Sequence, residues 1–162
     1  MRKAFNICIS IFTAICLTLN PYASSDGEVS VNTDVNFPAV SASSACIIEC
    51  DSGDVIYEKN SNKTMPMAST TKIATCITAI ENGNLSDVVT TSKKAADTEG
   101  SSIWLETGEK MTLEHLLYGL MLSSGNDAAV AIAEHISGTT AEFSKLMNNT
   151  AFKTGVNNTN FT

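Results

Sequence analysis

Between Thr112 and Gly155 the apolar residues recur at helical spacing in three consecutive blocks, each with its own start and stop signals. Leu113, Leu116, Leu117, Leu120 and Met121 form one stripe behind Thr112, a good N-cap residue. That run ends at Ser123-Ser124-Gly125-Asn126-Asp127, where Asp127 is expected to cap a second helix over 128–136, closed by Gly138. Thr139-Thr140-Ala141-Glu142 reads as a capping box. The helix it opens runs towards Phe152, with Phe143, Leu146, Met147 and Ala151 on one face, and stops before Gly155. Apolar stripes of this kind have to be buried, so this half of the chain is expected to be helical and packed.

A fourth helix is expected upstream. Pro66 stands just before an apolar-periodic run in which Ile73, Cys76, Ile77 and Ile80 hold the i, i+3, i+4, i+7 spacing of a buried face, and Asn82-Gly83 supplies the stop. Ser69 then falls in the first helical turn, and Lys72 lies three residues on, on the same side. A hydroxyl beside an amine at the positive end of a helix dipole suits a nucleophile and its base. Taken alone, the same residues also describe a serine near a helix start and a surface lysine, because S-x-x-K is a short pattern. Ser124-Gly125-Asn126 is the second polar constellation. A polar corner between two apolar helices either turns the chain, with Asp127 as cap, or projects a hydroxyl and an amide into a cleft.

The rest of the chain reads as follows. Ser44–Cys50 and Val55–Asn60 flank the turn-forming cluster Asp51-Ser52-Gly53-Asp54 and predict a β-hairpin. A loop, Ser61–Met65, leads to the Ser69 helix. Leu85–Thr91 is expected to be extended, and Ser92–Thr107, which holds Trp104, to be a loop with short extended pieces. At the start, Met1-Arg2-Lys3, a mostly apolar run from Phe5 to Leu19 and the small residues Ala23-Ser24-Ser25 make the three-part pattern of a secretory signal, so residues 1–25 are read as an export signal. Residues 26–43, rich in Ser, Val and Asn, are read as a linker, and 44–162 as one domain. Without the signal, three cysteines remain, an odd number without paired spacing, which argues against a disulfide framework. Neither histidine stands in metal-ligand spacing to them, so no metal is expected. The net charge of −7 argues against nucleic acid and anionic membrane surfaces as partners.

Taken together, Ser69-Thr70-Thr71-Lys72 at a helix start and Ser124-Gly125-Asn126 in an interhelical corner follow the order of motifs in the serine acyl-transferases that react with penicillin. The context Pro66-Met-Ala-Ser-Thr-Thr-Lys-Ile73, the hairpin 47–59, the segment Glu99-Gly-Ser-Ser-Ile-Trp-Leu105, the run 113–126 and Asp127 to His135 all resemble the D-alanyl-D-alanine carboxypeptidases, which are low-molecular-mass penicillin-binding proteins. The resemblance covers residues 44 to 162. It implies an α/β (α+β) fold of the β-lactamase/transpeptidase-like class, here the N-terminal hairpin plus the helical subdomain. It also implies removal of the terminal D-alanine from peptidoglycan stem peptides through an acyl-enzyme, with β-lactam antibiotics as covalent inhibitors, no cofactor, and a location outside the cytoplasm.

Residue by residue, the resemblance makes Ser69 the nucleophile and Lys72 its general base. The Ser69 N–H would donate to the oxyanion, Ser124 would relay a proton to the leaving D-alanine, and Asn126 would hold the peptide and anchor Lys72. The family's third motif, Lys-Thr-Gly on a sheet-edge strand, is expected after Thr162, together with the strands that complete the sheet and any C-terminal membrane-associating segment. The literal Lys153-Thr154-Gly155 ends an amphipathic helix and is read as a decoy. On this reading the chain is the N-terminal portion of an enzyme and holds an incomplete site. Two alternatives stand beside it: a β-lactamase or transpeptidase of the same fold, and a non-catalytic wall-binding fragment. The corner here is Ser-Gly-Asn where class A β-lactamases have Ser-Asp-Asn.

Overall fold

The structure, a computed structural model, describes residues 39–156 and 158–162. The export signal and most of the linker lie outside the described residues. The chain divides into two units, 1–59 and 60–162.

In the first unit, strands β1 (Ala45–Ile48) and β2 (Val55–Lys59) pair antiparallel, with Ala45 opposite Lys59 and Ile47 opposite Tyr57. A bulge between Ile47 and Ile48 shifts the register so that Ile48 faces Val55. The turn closes through the Glu49 N–H donating to the Asp54 carbonyl and the Gly53 N–H to that of Glu49, both at 2.9 Å. Gly53 sits at φ +77°, a conformation that glycine adopts without steric cost. The Glu49 carboxylate accepts from the Ser52 and Asp51 N–H groups, and these bonds hold its pKa below the usual carboxylate value. This is the hairpin that the turn cluster predicts.

The second unit begins with a single 3₁₀ turn, Ala68–Thr70, that runs directly into α1 (Thr71–Asn82). Then come β3 (Val88–Thr90), α2 (Lys93–Ala96), β4 (Lys110–Thr112), α3 (Leu113–Leu122), α4 (Asn126–Ser137) and α5 (Thr140–Lys153). Strands β3 and β4 pair antiparallel, with Val88 opposite Thr112 and Thr90 opposite Lys110. Helix α4 lies at the centre and touches α1, α2, α3, α5 and β3. Its buried positions are mostly small, Ala128, Ala131 and Ala133 around Ile132, so larger side chains on its neighbours can close onto it. Those are Leu113, Leu116 and Leu120 from α3 and Phe143 and Met147 from α5.

The three expected helices form, and most of their expected start and stop signals are in place. The Thr112 hydroxyl accepts from the His115 N–H at the start of α3, and Gly138 at φ +77° ends α4. The capping box is half made: the Thr139 hydroxyl accepts from the Glu142 N–H, while the Glu142 carboxylate pairs with Lys145 at 2.6 Å instead of turning back. Lys153 is the last residue of α5, so Lys153-Thr154-Gly155 lies at a helix end and not on a strand.

Two expectations fail. The buried side of α1 is made by Thr75, Thr78 and Ala79, whereas Ile73, Ile77 and Ile80 are about half exposed, at 53%, 43% and 54%. The isoleucine stripe has helical periodicity, but α4 and α5 approach the opposite, small-residue side. Periodicity locates a stripe and does not say which neighbour reaches it. The segment 92–107 is also less irregular than expected. Ser92 caps the four-residue helix α2 by accepting from the Ala95 N–H, and beyond the segment the three-residue β4 completes a ladder with β3. Neither element is long enough to show a period.

Candidate active site

Ser69 stands in the middle of the 3₁₀ turn, which Thr70 closes by donating its N–H to the Met67 carbonyl at 3.2 Å. Ala68, just before Ser69, lies at φ +48°, an uncommon and strained conformation for a residue with a Cβ. This kink raises Ser69 onto an exposed turn. As an early residue of that turn, Ser69 has an N–H without an acceptor inside it. Lys72 is in the first turn of α1 and is half-buried. The expected placement of Ser69 in the helix is thus refined to the 3₁₀ turn that leads into it.

The corner between α3 and α4 carries the second half of the site. Ser123 ends α3, Ser124 sits at φ +56°, and Gly125 precedes the first residue of α4. An added Cβ on Gly125 would come within 2.9 Å of Asp127 Oδ1, so the corner is tight as well as strained. This conformation turns Ser124 and Asn126 to the same side, towards α1.

Four side chains then meet. Lys72 Nζ lies 3.3 Å from Ser69 Oγ, 3.0 Å from Ser124 Oγ and 2.7 Å from Asn126 Oδ1. The Ser124 hydroxyl donates to Ser69 Oγ at 2.9 Å, so the two hydroxyls and the amine form a closed triangle. All four residues singled out in the sequence are brought together, from positions as much as 57 residues apart in the chain. Among the described residues, the ion pairs are Lys93–Asp97, Lys94–Glu134, His135–Asp87 and Lys145–Glu142, and none of them engages Lys72. The amine faces only neutral oxygens. Hydroxyls and an amine at these distances are close enough to exchange a proton. Groups of three or more His, Cys, Asp or Glu able to hold a metal are absent among the described residues.

Asn126 is itself held by the segment 99–101. Its Nδ2 donates to the Glu99 carbonyl at 2.8 Å and its backbone N–H to the Ser101 carbonyl at 2.7 Å. The first bond orients the amide, because the NH₂ must face the carbonyl and Oδ1 is left to face Lys72. Gly100, between the two carbonyls, sits at φ +99°, and an added Cβ there would lie 2.5 Å from Asn126 Nδ2.

Asp127 corrects an expectation. It does not cap α4: the N-cap is Gly125, which makes no side-chain bond, and Asp127 lies inside the helix with 0% of its surface exposed. Its carboxylate accepts from the Ser102 hydroxyl at 2.6 Å, the Ile103 N–H at 3.1 Å, the Leu105 N–H at 3.0 Å and the Ala128 N–H at 2.9 Å. Burial by itself pushes its pKa up. The donors from Ser102, Leu105, Ile103 and Ala128 outweigh that and leave it below the usual aspartate value. Sequence reading missed the segment 99–105 as part of this assembly, since its contacts, the Ser102 hydroxyl apart, use backbone groups that any residue provides. The available signal was Asp127 itself, a charge among the alanines of an apolar helix.

Residues 31–162 match the family described as D-alanyl-D-alanine carboxypeptidase. The D-alanyl-D-alanine carboxypeptidase DacF of Bacillus subtilis is 49% identical over 125 residues, which are 74% of this chain and 32% of that relative. The solved structure of the D-alanyl-D-alanine carboxypeptidase DacD from Francisella tularensis superposes with a TM-score of 0.71 at 35% identity, over 88% of this chain and 36% of that one. A mutant of a Streptomyces DD-transpeptidase gives a TM-score of 0.72 at 34% identity, over 77% of this chain and 53% of that one. The chain spans about a third to a half of the length of the curated relatives it matches. The mixed helix-and-strand architecture is that of a partial β-lactamase/transpeptidase-like domain, as the sequence led one to expect.

Proposed function

From the premise that the chain belongs to the D-alanyl-D-alanine carboxypeptidase family, we propose that it supplies the nucleophile and proton-transfer groups of a serine-type enzyme that removes the terminal D-alanine from peptidoglycan stem peptides. The observation that carries this reading is the closed triangle of Ser69, Lys72 and Ser124, with Asn126 fixed against the amine.

In the proposed reaction Ser69 Oγ attacks the carbonyl carbon of the terminal D-alanyl-D-alanine amide, and Lys72 Nζ, as general base, takes the hydroxyl proton. The Ser69 N–H donates to the oxygen that becomes negative in the tetrahedral intermediate. A donor of that kind is typically worth about 3 kcal/mol in the transition state. The proton passes from Lys72 Nζ through Ser124 Oγ to the departing amide nitrogen, the C–N bond breaks, and D-alanine leaves. Ser124 suits the relay because its oxygen lies within 3.0 Å of the amine and within 2.9 Å of Ser69 Oγ. Water then attacks the ester, the proton returns by the same route, and the shortened peptide is released. A β-lactam amide is opened by the same attack. Its leaving nitrogen stays tethered to the acyl group, so the covalent adduct persists and penicillin becomes a probe of the site.

The proposal takes residues 1–25 as an export signal, 26–43 as a linker and 44–162 as part of the catalytic domain, acting outside the cytoplasm on the cell wall. A transpeptidase outcome is the second reading, favoured by the likeness to a Streptomyces DD-transpeptidase. It differs only in that an amine and not water resolves the acyl-enzyme.

The test is covalent labelling of the full-length gene product with a fluorescent penicillin. Labelling is expected in the wild type and absent in Ser69→Ala. Persistent labelling of that variant would remove Ser69 as nucleophile. Lys72→Ala is expected to acylate slowly with non-covalent binding largely kept, and acylation at the wild-type rate would remove Lys72 as base.

A further inference from the structure

The hydrogen bonds of Asp127 go to none of Ser69, Lys72 and Ser124, yet they converge on the segment that holds Asn126. The side chain is fully buried, and no cation faces it among the described residues. All its donors come from two places: the Ser102 hydroxyl and the Ile103 and Leu105 N–H groups of one loop, and the Ala128 N–H of its own helix. A buried carboxylate that takes three of its four donors from one loop works as a clamp, because those donors lose their partner if the loop moves.

That loop needs a clamp. Trp104 sits at φ +65°, a conformation that a bulky residue avoids, and its side chain is 85% exposed, so packing of the indole does not hold it there. What fixes the residue is its N–H, which donates to Ser102 Oγ at 2.8 Å while that same hydroxyl donates to Asp127. Gly100, at φ +99°, is the other unusual backbone position, and it lies between the two carbonyls that grip Asn126. The order of support therefore runs from Asp127 to residues 102–105, from these to the Glu99 and Ser101 carbonyls, from the carbonyls to the Asn126 amide, and from its Oδ1 to Lys72 Nζ.

We propose that Asp127 is a positioning residue for acyl transfer, acting by locking the loop 99–105 in the one conformation that aims Asn126 Oδ1 at Lys72. This rests on the serine acyl-transfer reading given above. An amide aimed by the Glu99 carbonyl, on a backbone that the Ser101 carbonyl holds, cannot drift independently of the loop, so loosening the loop frees Lys72 from one of its three oxygen partners. The amine then samples positions away from Ser69 Oγ, and the acylation step slows while the surface that receives the ligand is kept. Misplacement of a reacting group by about 1 Å is enough to lower a rate by about 100-fold.

Asp127→Asn keeps the shape and sets an NH₂ against donors that the carboxylate accepted. Ser102→Ala removes one donor and disturbs the fold less. Stopped-flow acylation of the full-length gene product by a fluorescent penicillin separates the non-covalent dissociation constant from the first-order acylation constant. Circular dichroism at the assay temperature reports whether each variant is folded. For folded Asp127→Asn we expect acylation at least about ten-fold slower, with the dissociation constant changed by no more than about three-fold. For Ser102→Ala we expect a smaller loss, about three-fold, in the same constant. Asp87→Asn, which alters the distant pair with His135, should acylate as the wild type does. A merely structural role would lower the folded fraction and leave the acylation constant of the folded molecules unchanged. The proposal is overturned if folded Asp127→Asn acylates at the wild-type rate, and equally if Asp127→Asn does not fold and Ser102→Ala acylates at the wild-type rate. Failure of the wild type to label at all overturns the acyl-transfer reading itself and takes this inference with it.

Discussion

Replacing Gly100 by alanine tests whether the Asn126 amide is held by contact with the loop beside it. The added methyl would sit 2.5 Å from Asn126 Nδ2, against an ordinary contact distance of about 3.5 Å. The amide must therefore retreat by about 1 Å or the loop must shift by as much. The amide is already spanned by two bonds, 2.8 Å to the Glu99 carbonyl and 2.7 Å from Lys72, and a retreat of that size breaks at least one of them. A lost bond costs about 1 kcal/mol, and a residue with a Cβ at φ +99° about 1–3 kcal/mol more. Gly100→Ala should therefore lose about 2–4 kcal/mol of unfolding free energy, and penicillin acylation should slow by about 100-fold. Gly108→Ala supplies the control. It has a similar backbone conformation, φ +84°, and no atom within 4 Å of the new methyl, so it should lose only the backbone part and acylate within about two-fold of the wild type. Labelling progress curves and urea unfolding of the two variants give the comparison. Equal slowing in both would show that backbone strain and not the contact with Asn126 is responsible, and a wild-type rate in Gly100→Ala would refute the reasoning outright.

Other outcomes follow from the core and from charge. Leu116, 1% exposed on α3, should lose about 2–5 kcal/mol of stability on change to alanine, measured by denaturant unfolding, since α4 already presents alanines to it and has little to collapse with. Asp127 has a folded-state pKa below its unfolded value, so its contribution to stability is complete above the usual carboxylate range and is lost as the pH falls from about 4 towards that lower pKa. Melting temperatures of Asp127→Asn should accordingly fall less steeply with acid than those of the wild type, and parallel acid limbs would contradict the assignment. Thr139→Ala removes the hydroxyl that caps α5 and should cost about 1 kcal/mol, read from the shift in thermal unfolding.

The residues that the sequence singled out, Ser69, Lys72, Ser124 and Asn126, are those that meet. Local rules marked them as candidates, and the resemblance to the D-alanyl-D-alanine carboxypeptidases gave them their roles. A serine and a lysine three apart at a helix start share a face whatever surrounds them. A Ser-Gly-Asn corner between two apolar helices has polar groups that must turn somewhere. Residues 99–105 were not legible as part of the site, because Glu99 and Ser101 contribute carbonyls and Ile103 and Leu105 contribute N–H groups. Backbone groups carry no residue signature. Asp127 was legible as a charge in the wrong place, and its helix-start position suggested a cap when its partners lay across the loop.

The sequence by itself located the four longer helices of the second unit to within a few residues, and showed which of their residues carry hydroxyl, amine and amide. Caps, glycine stops and the 3.6-residue period are properties of the chain over a few residues. Tertiary structure alone decided that α4 and α5 pack on the Thr75, Thr78 and Ala79 side of α1 and not on the side of Ile73, Ile77 and Ile80. It also decided that the Ser124 corner, at φ +56°, faces Lys72, and that Asp127 reaches Ser102 instead of its own helix start. Each of these depends on a partner twenty or more residues away, and no local period or propensity contains the distance between two segments that meet only when the core has packed.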